Sequence, residues 1–401
     1  MNQKISKENY RNSELIFCSF VPVGLEDYAS YFIKNFNNFI YLRWKFPHGK
    51  GNIQSLLVEY FDGKKIGENK ILTLPSWNNK FFYFLFLPVN YSVYFFQSIF
   101  YLWRRKRKKN RIFFGINYFC AFCGIILKKF GRVDFVIYRV MDFFPLPPKG
   151  FYRILNRIFY TVDNFCLKNA DSIWFTTEGH IIGREKYGYF DRKNNDYQII
   201  PLAVDIDKFV SKDISETNNH SLVYCGVISR YHMMDLLFDV MVELKKYFND
   251  IKLNLIGSGP DTDYFKNLAQ KKELKGNIIF HGFMEEDQKF RDLMADNALG
   301  IAFYKDEENF MKYTEPAKVK YYLNFGVPAI ISDVPVIAKE LNEKRICLAT
   351  KNEKEEIIDK IKTFLSDSAL QVEYKKNISN FVKTIDVNSL LDNSLKNTFR
   401  E

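Results

Sequence analysis

The chain has 401 residues, 47% of them apolar and 17% aromatic, with a formal net charge of +11. That length suits two or three domains with real cores, and the composition excludes a disordered or low-complexity protein. The six cysteines are dispersed except for Cys120 and Cys123, and no second CxxC or histidine cluster completes a zinc site, so they read as reduced, mostly buried thiols of a cytoplasmic protein. Residues 1–200 carry 30 Lys and Arg against 15 Asp and Glu, whereas residues 201–401 carry 28 against 32. The basic bias therefore belongs to the N-terminal half. Nucleic acid explains it poorly: there is no zinc-finger or RNA-recognition signature, and the basic residues sit beside aromatics rather than along one helix face. A negatively charged membrane surface fits better.

In chain order, Met1 to Arg11 is polar and lacks the apolar core of a secretory signal. Glu14 to Phe20 (ELIFCSF) reads as the first strand, and Val21 to Gly24 (VPVG) as the loop at its carboxyl end. Phe81 to Trp103 contains 23 residues without a formal charge and runs directly into Arg104, Arg105, Lys106, Arg107, Lys108 and Lys109. Its length would satisfy a bilayer span, but Pro88, Asn90, Ser92, Gln97 and Ser98 dilute it, and its many aromatics favour the water–lipid interface. An element lying on a membrane is preferred, with a buried helix and a true span left open; the basic hexamer is either lipid-facing or a solvated turn. The sixteen uncharged residues Ile112 to Leu127 lie beside that element or form core. Phe135 to Asp142 (FVIYRVMD) is a later strand, followed by a strand and helix over Ala170 to Phe175 and Glu178 to Gly188. His180 reads as structural or as a cleft residue.

Pro201 to Phe209 (PLAVDIDKF) and the polar stretch Ser211 to His220 mark a domain crossing near residue 205. Ser221 to Ser229 (SLVYCGVIS) is an apolar strand ending in a glycine turn, with a helix opening near His232. Ile251 to Pro260 (IKLNLIGSGP) has period-two apolar positions and ends in Gly257-Ser258-Gly259-Pro260. Asn277 to Phe283 (NIIFHGF) and Ala298 to Tyr304 (ALGIAFY) are two more strands. In Glu315 to Ile331 (EPAKVKYYLNFGVPAII), Pro316 suits the first turn of a helix carried by Lys318 to Phe325, and Gly326 closes it. Val327, Ala329, Ile330 and Ile331 then form a buried parallel strand, with Pro328 near its start, where a donor is dispensable. Strands alternating with helices predict a doubly wound α/β domain whose strand ends share a ligand crevice. The chain after Lys351 is helical and charged, and its last stretch is expected to pack back on the N-terminal domain.

The Glu315 segment resembles the P-x-K-x-x-x-Y-L-x-x-G-x-P signature of nucleotide-sugar-dependent glycosyltransferases of the GT-B fold, and the strands before it are similar in spacing. The pattern looks closest to family 4 and to the galactofuranosyl- and glucosyl-transferase branches of bacterial surface polysaccharide synthesis. The resemblance implies two Rossmann-like doubly wound α/β domains facing a central cleft. Residues 1–204 would bind the acceptor, 205–375 the nucleotide sugar, and 376–401 would be a terminal helix returning to the first domain. It implies transfer of a hexosyl group from a nucleoside diphosphate sugar, UDP favoured, to a hydroxyl of a lipid-linked or other saccharide.

The same resemblance assigns Arg230 and Lys318 to the departing diphosphate, with help from backbone N–H groups around Gly226 and the N-terminus of the helix bearing Lys318. Gly24, Gly226, Ser229, Gly257, Gly259, Gly282, Phe283, Tyr304, Pro316, Tyr321 and Tyr322 are implied around the nucleotide sugar. Asp142 is implied near the cleft, as acceptor-orienting group, general base or simply helix cap. Arg139, Trp103, Arg104, Arg105 and Lys106 are implied on the acceptor or membrane side. The pattern departs from better-known members at Val227, His232, Tyr313 and Tyr321, and a glutamate usually stands at the last of these to hold the ribose hydroxyls. No cofactor and no metal are expected, since Asp261-Thr262-Asp263 reads as a helix start. The protein is expected in the cytoplasm, peripheral on the inner face of the cell membrane. Two rivals differ in class: a nucleotide-sugar epimerase of the same fold, and an inactive homologue acting as a membrane scaffold.

Overall fold

The computed structural model describes residues 10–21, 26–45, 54–72, 80–106, 110–146, 149–193, 195–307 and 309–399. The chain divides into two compact units: the first takes Met1–Thr176, His180–Ile200 and Val387–Glu401, the second Thr177–Gly179 and Pro201–Asp386.

The first unit contains β1 (Glu14–Val21), α1 (Glu26–Asn35), β2 (Asn38–Lys45), β3 (Ser55–Phe61), β4 (Lys64–Ile71), α2 (Lys80–Arg104), β5 (Arg111–Ile116) and α3 (Asn117–Lys129). It continues through β6 (Phe135–Val140), α4 (Phe151–Asn169), β7 (Ser172–Phe175), α5 (Glu178–Lys186, in this unit from His180) and β8 (Tyr197–Ile199). The strands form one sheet in the order β4-β3-β2-β1-β5-β6-β7-β8, parallel throughout except for the antiparallel β3 and β4 at one edge. β5 is buried at all six positions, as a central parallel strand covered on both faces must be. The uncharged run from Ile112 to Leu127 is core, not a surface layer, and it is two elements. Asn117 adopts a left-handed φ of +62° and its side chain accepts the Phe119 N–H at 3.1 Å, which ends β5 and opens α3.

The second unit contains β9 (Asn218–Cys225), α6 (Met234–Tyr247), β10 (Lys252–Ile256), α7 (Thr262–Lys271), β11 (Ile278–Gly282), α8 (Gln288–Ala295) and β12 (Asn297–Ala302). There follow α9 (Ala317–Leu323), β13 (Ala329–Ser332), α10 (Ile337–Glu343), β14 (Cys347–Thr350), α11 (Lys354–Ser366) and α12 (Ser368–Thr384). All six strands are parallel in the order β11-β10-β9-β12-β13-β14. The winding runs outward from β9 to β11, then restarts on the other side of β9 with β12. That reversal is a topological switch point, where open α/β sheets bind ligands beyond their carboxyl ends.

Ile378 and Val382 of α12 are in the second unit's core. The chain rejoins the first unit with α13 (Val387–Thr398). Phe399, just after α13, stacks on Tyr10 with centroids 5.2 Å apart, Thr398 accepts from Trp174 Nε1 at 3.0 Å, and Asp392 pairs with Arg11 at 2.8 Å.

Candidate functional site

Three glycines shape the carboxyl edge of the second unit's sheet. The N–H of Gly226, just after β9, donates to Ile256 O at 2.9 Å, and the N–H of Gly257, just after β10, donates to Gly282 O at 2.7 Å. Gly257 has φ +128°, and a Cβ there would lie 2.0 Å from the Gly226 carbonyl oxygen, so no side chain fits. Gly259 packs as closely, with a Cβ position 2.1 Å from Ile228 O. The result is a shelf of interlocked loops with little room to shift.

Lys318 rises over this shelf from α9. Its ammonium lies 3.9 Å from the ring centre of Tyr224 on β9 and 5.8 Å from that of Tyr304, two residues beyond β12. The cation thus occupies the switch point between the two strands. A Cβ on Gly226 would meet Lys318 Cε at 3.3 Å, so the bare backbone lets the side chain lie down. Nζ is buried and has no hydrogen-bond acceptor among the described residues. Burial pushes its pKa down to about 7. Nearby His232 has no partner for Nδ1, and burial, then the charge of Lys318, push it down to about 4. Two basic groups thus face one space without a hydrogen-bonded counter-charge among the described residues.

Lys320, two residues along the same helix, is the opposite case. Its Nζ lies 2.9 Å from Glu315 Oε1, and Glu315 Oε2 accepts the Leu202 N–H at 2.8 Å. Lys320 is therefore committed to structure, whereas Lys318 is not.

Other expected residues are distributed unevenly. Arg230 is exposed; its guanidinium lies 3.9 Å from the Tyr264 ring centre and 4.0 Å from Asp261, and its N–H donates to Asp261 Oδ2 at 3.0 Å. The N–H groups of Gly226 and Ile228 are also committed, the latter to Ser258 O at 3.3 Å. Those two N–H groups are therefore not free for a ligand, and the positive charge at the shelf comes from side chains. Because α9 has only seven residues, its dipole adds little beside the full charge of Lys318. Pro316 is buried at its N-cap.

Tyr322 lies beneath the shelf, wholly buried, accepting the Cys225 N–H at 3.1 Å and donating to Ile301 O at 2.8 Å, so it staples β9 to β12. Tyr304 is buried and its N–H donates to Ser332 Oγ at 3.0 Å. Ser229 is half-buried and Phe283 exposed. Tyr321 donates to Glu286 Oε2 at 3.0 Å, and Glu286 Oε1 pairs with Arg291 at 2.9 Å. Sequence reading missed Glu286, because the carboxylate comes from the loop after β11 and only the fold brings it to Tyr321.

In the first unit, Gly24, Arg107, Lys108 and Lys109 lie outside the described residues. Asp142 is exposed, and its main-chain carbonyl accepts from Arg184 at 3.2 Å. Arg139 is fully buried and donates to Phe175 O at 3.1 Å, which places it inside the sheet and not on an acceptor or membrane face. His180 is fully buried and held neutral by burial and by Arg184. Trp103, Arg104 and Lys106 are exposed, while Arg105 is tied to Glu14 and Glu59. All six cysteines are free thiols. Among the described residues no group of His, Cys, Asp and Glu is placed to hold a metal ion.

Residues 205–381, the unit that holds Lys318, match the family "Glycosyl transferases group 1". That unit is therefore a glycosyltransferase group 1 domain, and the chain has the GT-B fold. No curated protein sequence matches it. Among solved structures it is similar to the sucrose-phosphate synthase of Thermosynechococcus elongatus, with 12% identity, a TM-score of 0.70, and 97% of this chain and 98% of that one covered. It is also similar to HepE of Anabaena in complex with UDP (14%, 0.64, 96% and 100%) and to OtsA (10%, 0.67, 97% and 100%). At these identities the structural likeness establishes the fold of this glycosyltransferase, and its substrates have to be argued from its own residues.

Proposed function

We propose that this glycosyltransferase moves a hexosyl residue from a UDP-sugar to a hydroxyl of a lipid-linked saccharide, at the inner face of a bacterial membrane, in surface polysaccharide synthesis. The observation that carries the donor half of this reading is Lys318. An enclosed ammonium with no acceptor among the described residues, beside a second base whose Nδ1 is likewise unpartnered, at the switch point of a parallel sheet, is a site for an anion. As the glycosidic bond breaks, negative charge accumulates on the diphosphate, and a fixed cation stabilises that state more than the bound substrate. HepE, solved with UDP, supports the choice of base. Glu286 accepts the ribose hydroxyls, since each of its oxygens keeps a lone pair beyond the bonds to Tyr321 and Arg291. No metal is required in this scheme.

The acceptor half rests on the first unit's basic, aromatic surface. Among the described residues no helix is long and apolar enough to cross a membrane, so the proposed association is peripheral.

Thermal stability measured with a panel of nucleoside diphosphates and with pyrophosphate tests the donor site. UDP should raise the melting temperature of the wild type, and Lys318→Ala should weaken the response to both UDP and pyrophosphate and lower turnover by about 10²–10³. Glu286→Gln should weaken the response to UDP alone. No shift with any nucleotide would overturn the reading.

A further inference from the structure

Helix α2 is built the wrong way round for a helix facing water. Its inward stripe carries Asn90 and Ser98, 5% and 1% exposed, beside Tyr94 and Leu102, while its outward stripe carries Phe96 and Phe100, 66% and 57% exposed, and Trp103. Ser98 is held inside by Trp44, whose Nε1 donates to its hydroxyl at 3.1 Å.

Three hollows follow one another along this helix. The first is a cavity of about 340 Å³ lined by Trp44, Tyr91, Phe95, Phe119, Phe122 and Phe159, with Ser92 as its sole hydroxyl-bearing aliphatic residue and Phe96 and Ile158 at its rim. The second is a shallow apolar groove over Phe96, Phe100 and Trp103, sharing Phe96 with the first. The third shares Phe100 and Gln97 with the second and is lined by Leu57, Lys70, Tyr101, Arg104 and Arg105. Arg105 is neutralised by Glu14 and Glu59, whereas Lys70 and Arg104 have no carboxylate partner among the described residues. The track therefore grades from a largely apolar, uncharged end to a cationic end over about 20 Å of helix.

We propose that this track binds a single-chain anionic amphiphile, its apolar tail in the aromatic cavity and its phosphate at Lys70 and Arg104. The polarity of the lining dictates the occupant. No lining residue of the cavity can neutralise a charge, so a charged head cannot enter there, and the exposed cations at the other end choose a head of negative sign. The inference rests on the reading that the acceptor is lipid-linked, and it makes the first unit the part that recognises the lipid.

The test is calorimetric titration of the full chain with dodecyl phosphate below its micelle concentration, against inorganic phosphate and dodecyltrimethylammonium. Dodecyl phosphate should bind at least about tenfold more tightly than either control, since a buried methylene contributes about 0.8 kcal/mol. Filling the cavity with Val162→Trp, or with Ser92→Phe should the first variant fail to fold, should weaken binding by about tenfold. The pair Lys70→Glu with Arg104→Glu should weaken it comparably. Equal binding of the cationic amphiphile, or variants indistinguishable from wild type, would overturn the proposal. Stabilisation by UDP reports on the second unit independently: its persistence without amphiphile binding refutes this inference alone, and its loss with amphiphile binding intact refutes the donor assignment alone.

Discussion

In the second unit the uncommitted groups are basic, the ammonium of Lys318 and the neutral imidazole of His232, held inside an edge of the sheet by closely packed glycine loops. In the first unit the groups out of place for water are aromatic rings, Phe96, Phe100 and Trp103, exposed along α2. Each arrangement costs stability in water, the former by desolvating charge and the latter by leaving apolar area exposed. Each makes sense once a ligand of the complementary kind is supplied. Lys320 shows what the same helix does when no ligand is intended: it buries its lysine against Glu315.

The largest effect should come from breaking the shelf. Gly257→Ala places a methyl carbon into the Gly226 carbonyl and should cost about 3 kcal/mol or more, abolishing stabilisation by UDP while amphiphile binding by the first unit continues. Calorimetry of the two ligands in parallel checks this, and a variant that keeps its UDP response would show that the loops have slack. Next, Phe96→Glu with Phe100→Glu should weaken sedimentation with anionic vesicles by about tenfold or more, without altering the UDP response. Smallest is an opposite-sign effect at the crevice. Lys318→Met removes a desolvated cation, so the ligand-free protein should melt about 2–4 °C higher even as it loses its response to UDP.

That gain has a pH signature. The folded-state pKa of Lys318, about 7, is below the ordinary lysine value of 10.5, so between these pH values the unfolded chain binds the extra proton. The group's contribution to stability therefore rises with pH across that window, and the advantage of Lys318→Met over wild type should shrink as pH climbs from 7 toward 10.5.

The two regions also differ in how much of them can be read from the chain. The strands of the second unit are continuous apolar runs ending in glycine, and β10, β11 and β12 fall where Ile251 to Pro260, Asn277 to Phe283 and Ala298 to Tyr304 indicate them. Lys318 stands out because a lysine between Pro316 and Gly326 has one helical turn in which to act. The helix-borne tyrosines were not separable in this way: Tyr322 is an internal staple and Tyr321 an outward donor to Glu286, a difference set by the rotation of α9 and by a loop distant in sequence. Likewise, Asn90 and Ser98 of α2 dilute its hydrophobicity in sequence, yet in the fold they mark its inner face. The edge hairpin β3–β4 left little trace, because β4 (KKIGENKI) is largely exposed and charged and needs no apolar alternation.

The most direct test of the account is the affinity for UDP measured from pH 6 to 9 on wild type and Lys318→Met. A diphosphate must find Lys318 protonated, so the wild type should bind progressively more weakly as pH rises above about 7, with proton uptake on binding, by up to about tenfold per pH unit, while the variant binds weakly and with little dependence on pH. A wild-type profile as flat as the variant's would contradict the assignment of Lys318 to the diphosphate.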